Sequence, residues 1–406
     1  MSGLRVEEQR NNPLTWPFLA GFAGCCVLFW WLQSLLLHFW LGADLSLEPK
    51  TLWISAGALA TFALGYILPA PKFPLLSTSI MTLDRCEDFS YRATLVLAFP
   101  AFLVAIRYFA YRLSVADYFE GQGITLPEQA VMYVHLFVGL LYLSAIADPK
   151  KDKRKLALVT LLIVAPRLLV ALRWRRFYAA QAIVPIILIA LARGWVAVSL
   201  KRFLQIAVLG LFILFVPALT RGDKVFGEDE YGTPQVVNYF GYMNSLGFFQ
   251  DNQNLQYNCP PILVSFTEKI IPYSALGICT VDVGKDKGMP AALDVLLTKQ
   301  ESDDYMAGTG GNYILELYLA GGLTAVFVGS VVFGFACRRF VQLTGHRTLY
   351  AGIWAESLSR ALLAPRGNLG YVFERIPSEL IATWLILAVA WAAAVLRQRR
   401  ISPQAT

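Results

Sequence analysis

PKKDKRKLALVTLLIVAPRLLVALRWRR, Pro149–Arg176, holds the reading of the fold in one stretch. Five basic residues stand in its first seven, then seventeen residues broken only by Pro166 and Arg167, then three arginines in four positions. An apolar run of that length is close to the roughly 20 residues an α-helix needs to cross a bilayer. Basic residues are retained on the cytoplasmic side, so Pro149–Lys155 is an inner loop and Leu156–Leu172 is a helix running outward. Arg173, Arg175 and Arg176 then fall on the outer side, where short loops normally lack Lys and Arg. An anionic ligand is the reason that suggests itself, because guanidinium forks match phosphate oxygens two at a time.

The same pattern repeats along the chain. Of its 406 residues, 56% are hydrophobic and 16% charged, and the mean hydropathy is +0.52. The apolar runs lack the period-two alternation of a transmembrane β-barrel. The expected fold is therefore all-α: a polytopic transmembrane bundle of about 10–12 helices with one long outer loop. Ten helices are read at Leu14–Leu41, Leu52–Leu68, Ala93–Phe109, Ala130–Ala147, Leu156–Leu172, Phe177–Leu191, Phe203–Leu219, Asn312–Ala336, Thr348–Leu363 and Leu380–Leu396. Both termini are placed inside. The inner segments then hold 19 Lys/Arg and the short outer loops 7. Three parts follow: residues 1–219 with helices 1–7, residues 220–311 as a long outer loop or lid, and residues 312–406 with helices 8–10. In the loop, acidic residues outnumber basic ones twelve to six. The net charge of +7 suits inner loops facing anionic lipid. No zinc-finger spacing, RNP motif or basic-aromatic array points to nucleic acid. No Cys or His spacing resembles a metal site, and no cofactor is expected. Cys25, Cys26 and Cys337 read as apolar filler, Cys86 as a loop residue, and Cys259 with Cys279 as a pair that an oxidising compartment could join.

Four groups of residues carry candidate chemistry. Arg173, Arg175 and Arg176 are the first; headgroup snorkelling is the bland alternative. Arg360 with Arg366 is the second. Glu356 and Arg360 stand four apart on one helix face, so a structural ion pair competes with ligand contact. Ionisable residues inside a membrane usually face a cavity or a partner. The third is GTGGNYILELYLAGG, Gly308–Gly322, a Gly-rich turn leading into a helix with Glu316 one turn in; Gly321–Gly322 permit a close helix contact or a kink. The fourth is the acidic set read as outer: Asp44, Asp223, Glu228, Asp229, Glu230, Asp303, Asp304, Glu374 and Glu379, most of it expected to be solvated surface. The three histidines, His38, His135 and His346, all fall outside the outer loops.

With those residues in view, the chain resembles the bacterial O-antigen, or oligosaccharide repeat-unit, polymerases of the Wzy type. The resemblance covers the helix count, the late outer loop and, most specifically, GTGGNYILELYLAGGLTAVFVG, Gly308–Gly329. It implies a GT-C-like glycosyltransferase of a bacterial inner membrane with its active site facing the periplasm. Such an enzyme moves a growing glycan from undecaprenyl diphosphate onto an undecaprenyl-diphosphate-linked repeat unit, using membrane lipid-linked substrates and no metal. The resemblance gives Arg173, Arg175, Arg176, Arg360 and Arg366 the diphosphates, and leaves Glu316, Asp223 and Glu374 as alternatives for the base. Whether a chain-length regulator binds stays open. The rivals are an O-antigen ligase, disfavoured because similar ligases use an outer-loop His, another lipid-linked-sugar glycosyltransferase, and a non-enzymatic flippase of lipid-linked glycans.

Overall fold

In the computed structural model, residues 12–31, 49–69, 80–114, 125–173, 177–196, 313–365, 369–373 and 376–401 are described. They form helices and turns, with no strand among the described residues. The elements are α1 (Thr15–Cys26, continued by a π-helical turn, Val27–Trp31), α2 (Pro49–Ile67), α3 (Ile80–Ser114), α4 (Leu126–Ala145), α5 (Lys153–Arg173), α6 (Phe177–Ala192), α7 (Tyr313–Gly345), α8 (Ala351–Ala361), α9 (Leu369–Phe373) and α10 (Ile376–Ile401). Among the described residues, four stretches are long and apolar enough to cross a membrane: Leu83–Tyr111, Pro127–Ala145, Lys153–Leu172 and Gly321–Gly345. Shorter apolar helices accompany them in α1, α2, α6 and α10. The chain is an all-α, multi-pass membrane protein. The expected helix at Phe203–Leu219, the loop 220–311 and the Cys259–Cys279 pair lie outside the described residues.

One end of the bundle gathers the segments read as inner. Asn12 donates to the Val341 carbonyl at 3.0 Å. Arg193, just past α6, donates to the carbonyls of Leu143 and Ser144 at the end of α4 and of His346 past α7, at 3.0, 2.7 and 3.1 Å. Arg347 donates to the Ala145 carbonyl at 2.7 Å and pairs with Asp84 and Glu87 of α3. These guanidiniums occupy the orphan carbonyls that every helix C-terminus leaves. Burial and the nearby Arg347 charge push the Arg193 pKa down to about 10, which still leaves it charged at neutral pH. Replacing Arg193 with Ala leaves three carbonyls without this donor. The expected cost is about 1–3 kcal/mol, read as a lower thermal midpoint of the detergent-solubilised protein.

Several boundaries depart from expectation. The loop read up to Tyr91 is helical from Ile80, and Cys86, read as a loop residue, is a buried residue of α3. Leu83, Cys86 and Ser90 recur at helical spacing and face the bundle, and Asp84 and Glu87 meet Arg347, so the helix outlasts its apolar run. The turn read at Cys337–Arg347 is helical to Gly345. Arg107, near the outer end of α3, is exposed and pairs with Glu128 at 2.5 Å. Glu128 also closes the capping box that begins α4 at Thr125.

The largest departure is α7. It is broken at Gly321 and Gly322, the latter at φ 64° and ψ −155°. Its limbs, residues 313–320 and 323–345, fold back on one another. Leu317 lies against Gly329, and the rings of Tyr313 and Phe333 are 5.3 Å apart. In one straight helix those pairs would stand about 18 and 30 Å apart. The first limb therefore starts deep in the bundle and runs towards the end opposite Arg193, where the glycines turn it back. A Cβ at Gly322 would touch nothing within 4 Å, so its cost is backbone strain alone. Gly322→Ala is expected to lower stability by about 1–3 kcal/mol in the same thermal assay.

α7 returns beside α2, and the two run in parallel at very close approach. A Cβ at Gly65 would stand 2.0 Å from the Val331 carbonyl oxygen, and one at Gly334 would stand 2.1 Å from that of Phe62. Phe22, Phe62, Phe333 and Tyr313 build the aromatic core around this crossing. α3, α4 and α5 pack as a second group, and α8 lies between the two, against α4, α6 and α7.

A buried charged layer around the central helix

α8 has eleven residues, and all but Trp354 are buried. At about 1.5 Å per residue it is about 16 Å long, too short to span a bilayer. Its sequence, AGIWAESLSRA, would be costly in lipid: it carries Glu356, Ser357, Ser359 and Arg360. Surrounded by other helices, it meets protein instead.

Arg360 is 1% exposed and pairs with Glu356, one turn back on α8 and equally buried. A second carboxylate reaches the same guanidinium nitrogen from α10: Glu379 Oε1 is 3.5 Å away and 1% exposed. The Tyr133 hydroxyl of α4 donates to that Oε1 at 2.6 Å. Three helices thus converge on one cation through two acids and a phenol. Glu379 was expected to be solvated outer surface. The structure corrects this: α10 starts at Ile376, four residues before the apolar run, and its first turn is tucked against α4 and α8. The I-P-S-E opening was the available signal, since proline and an acid favour a first helical turn.

Below the break in α7, Glu316 is fully buried. Its Oε2 accepts the Leu369 N–H at 2.5 Å, satisfying an orphan donor at the start of α9. Around it, the Tyr313 N–H donates to the Ala364 carbonyl at 3.2 Å, and Trp30 Nε1 to the Pro365 carbonyl at 2.9 Å. The end of α8 is thereby fixed to α1 and to the short limb of α7. Beyond α4, Arg167 is 1% exposed and donates to the Met132 carbonyl, with buried His135 close by. Counted along their helices from the basic end, Arg360, Tyr133 and Arg167 lie about 14–21 Å up, so these groups lie away from the basic end. Among the described residues, no three His, Cys, Asp or Glu side chains are grouped to hold a metal ion.

Of the residues singled out from sequence, the structure brings Arg360, Glu356, Glu379 and Glu316 into this region. Arg173 ends α5 at the far end from the basic loops; its side chain lies outside the described residues, as do Arg175, Arg176, Arg366, Asp223 and Glu374 entirely.

Residues 297–397 match the family described as O-antigen polysaccharide polymerase Wzy. The chain carries a Wzy-type segment. That segment takes in α7, α8, α9 and most of α10, and with them Glu316, Glu356, Arg360 and Glu379. Tyr133 and Arg167 approach it from the part of the chain before the match. That match supports an O-antigen polymerase in general terms. No curated protein and no solved structure gave a match.

Proposed function

We propose that the protein is a glycosyltransferase that polymerises undecaprenyl-diphosphate-linked oligosaccharide repeat units at the periplasmic face of a bacterial inner membrane. The observation that carries this reading is a buried arginine, Arg360, held between two acids inside the Wzy-type segment and away from the basic end. The positive-inside rule favours the basic end as the cytoplasmic one, which supports a site opening to the opposite, periplasmic side.

In the proposed reaction, a hydroxyl of the acceptor sugar attacks the anomeric carbon of the donor glycan. The bond from that carbon to the diphosphate oxygen breaks, and undecaprenyl diphosphate leaves with the bonding electrons. The hydroxyl proton passes to a carboxylate. Arg360 and Arg366 on one side, and Arg173, Arg175 and Arg176 on the other, are assigned to the two diphosphates, where fixed guanidiniums stabilise the charge on the departing oxygen. Asp223 and Glu374 are proposed for the proton. Glu316 was a third candidate. Its Oε2 already accepts the Leu369 N–H, so it is better suited to hold the chain next to Arg366 in sequence. The outer loop, residues 220–311, is proposed as the lid over this site.

The test is purified protein with undecaprenyl diphosphate carrying one native repeat unit and no other donor. A ladder of products with release of undecaprenyl diphosphate is expected. Substrate that stays intact until lipid A core is added would make the protein a ligase. Arg173→Ala protein that inserts normally and polymerises at the wild-type rate would remove the α5 cluster from the diphosphate site.

A further inference from the structure

Arg360 has more carboxylate than it needs. Glu356 lies one turn away on the same rigid helix and supplies its ion pair. Glu379 stands off at 3.5 Å on the same nitrogen, beyond ordinary hydrogen-bond length, and its Oε1 is already bonded to Tyr133 at 2.6 Å. The two acids are thus unequal. One is built into the frame of Arg360, and the other comes from a different helix and is held by a different donor. A buried guanidinium is costly without counter-charge. A diphosphate approaching it would meet the negative charge of any carboxylate that stayed in place, and like charges side by side oppose binding.

We propose that Glu379 is a positioning residue that holds the place of the substrate diphosphate on Arg360 while the site is empty, and gives it up when the diphosphate arrives. This rests on the reading of Arg360 as a diphosphate contact. Glu356 keeps the guanidinium aimed throughout. Tyr133 is the second seat of Glu379: it holds the carboxylate back from full contact with Arg360 and receives it once displaced. The groups facing Glu379 are Arg360 and Glu356 of α8 and Tyr133 of α4.

The sign of one substitution separates this role from a structural one. Removing a support weakens binding, whereas removing a competitor strengthens it. Glu379→Gln keeps the shape and an oxygen acceptor for Tyr133 but deletes the charge. The probe is N-acetylglucosaminyl-diphosphate-undecaprenol, whose diphosphate diester keeps its charge across neutral pH. Its affinity is measured for full-length protein in phosphatidylcholine nanodiscs, so that anionic lipid does not compete. E379Q is expected to bind about tenfold more tightly than wild type. Tyr133→Phe leaves every charge in place and frees Glu379 to close on Arg360, so it is expected to bind about threefold more weakly. Unchanged or weaker binding by E379Q would overturn the proposal, as would unchanged binding by Y133F should E379Q fail to fold. Arg360→Ala distinguishes the two levels. If R360A purifies as a single folded species and binds at least tenfold more weakly, the diphosphate reading stands whatever Glu379 does. If R360A binds like wild type, that reading falls and the role of Glu379 falls with it.

Discussion

Arg360→Lys protein is expected to insert, purify as a single species and polymerise at least about 100-fold more slowly than wild type. Lysine keeps the positive charge that pairs with Glu356, so the buried ion pair is retained and the bundle stays folded. It gives up the planar fork that grips two oxygens at fixed spacing. Losing one aimed donor to a developing negative charge costs on the order of 100- to 1,000-fold in rate. The alanine variant is a poorer rate probe, since it strands two buried carboxylates and costs about 3–5 kcal/mol of stability. The measurement is the rate of ladder formation on the repeat-unit substrate, beside a monodispersity check by size exclusion. Wild-type rate from R360K would place the leaving-group contact elsewhere, with the arginines of α5 next in line.

The second large effect is structural. Gly65→Ala and Gly334→Ala each put a methyl group about 2 Å from a backbone carbonyl oxygen of the facing helix. Neither obstacle is the tip of a flexible side chain, so α2 and α7 must part along their contact. Close backbone approach is what holds such helices together where lipid offers no hydrophobic drive. Each substitution is expected to lower stability by about 3 kcal/mol, enough to remove most folded protein from a membrane preparation. Gly24→Ala is the control: its methyl would meet nothing within 4 Å, and its unfolding midpoint should match wild type. If G65A also unfolds with wild-type midpoint, the helices do not touch at that point.

The fold class was legible because bilayer physics writes it in large letters. Apolar runs about a bilayer long, separated by basic loops, gave the helices and the grouping of Asn12, Asp84, Ala145, Arg193 and His346 at one end. Hydropathy sees lipid-facing surface and little else. It therefore began helix 3 too late, because Ile80–Arg92 is amphipathic and pairs through Asp84 and Glu87. It read α7 as one span, because nothing in the composition of YILELYLAGGLTAV tells a reversal from a kink; only Gly322 with positive φ does. The site was half legible for the same reason. Glu356 and Arg360 four apart declared themselves, while the contact from Glu379 links residues 19 positions apart and that from Tyr133 links α4 to α10. Such pairings depend on which helices become neighbours, and no local spacing encodes that.

The composition of α8 also bears on how the protein is made. A helix with Glu356 at its middle and Arg360 in its last turn partitions poorly into lipid by itself, since a charge placed centrally costs roughly 2.5–3.5 kcal/mol. Its favourable surroundings are α4, α6 and the second limb of α7, all of which precede it in the chain. α8 thus reaches its seat by docking into a bundle already in the membrane, and its integration is a folding event governed by those earlier helices. Damage to the α2–α7 crossing would then be felt first during biogenesis, as chains whose last helices never settle, before any effect on chemistry could be measured.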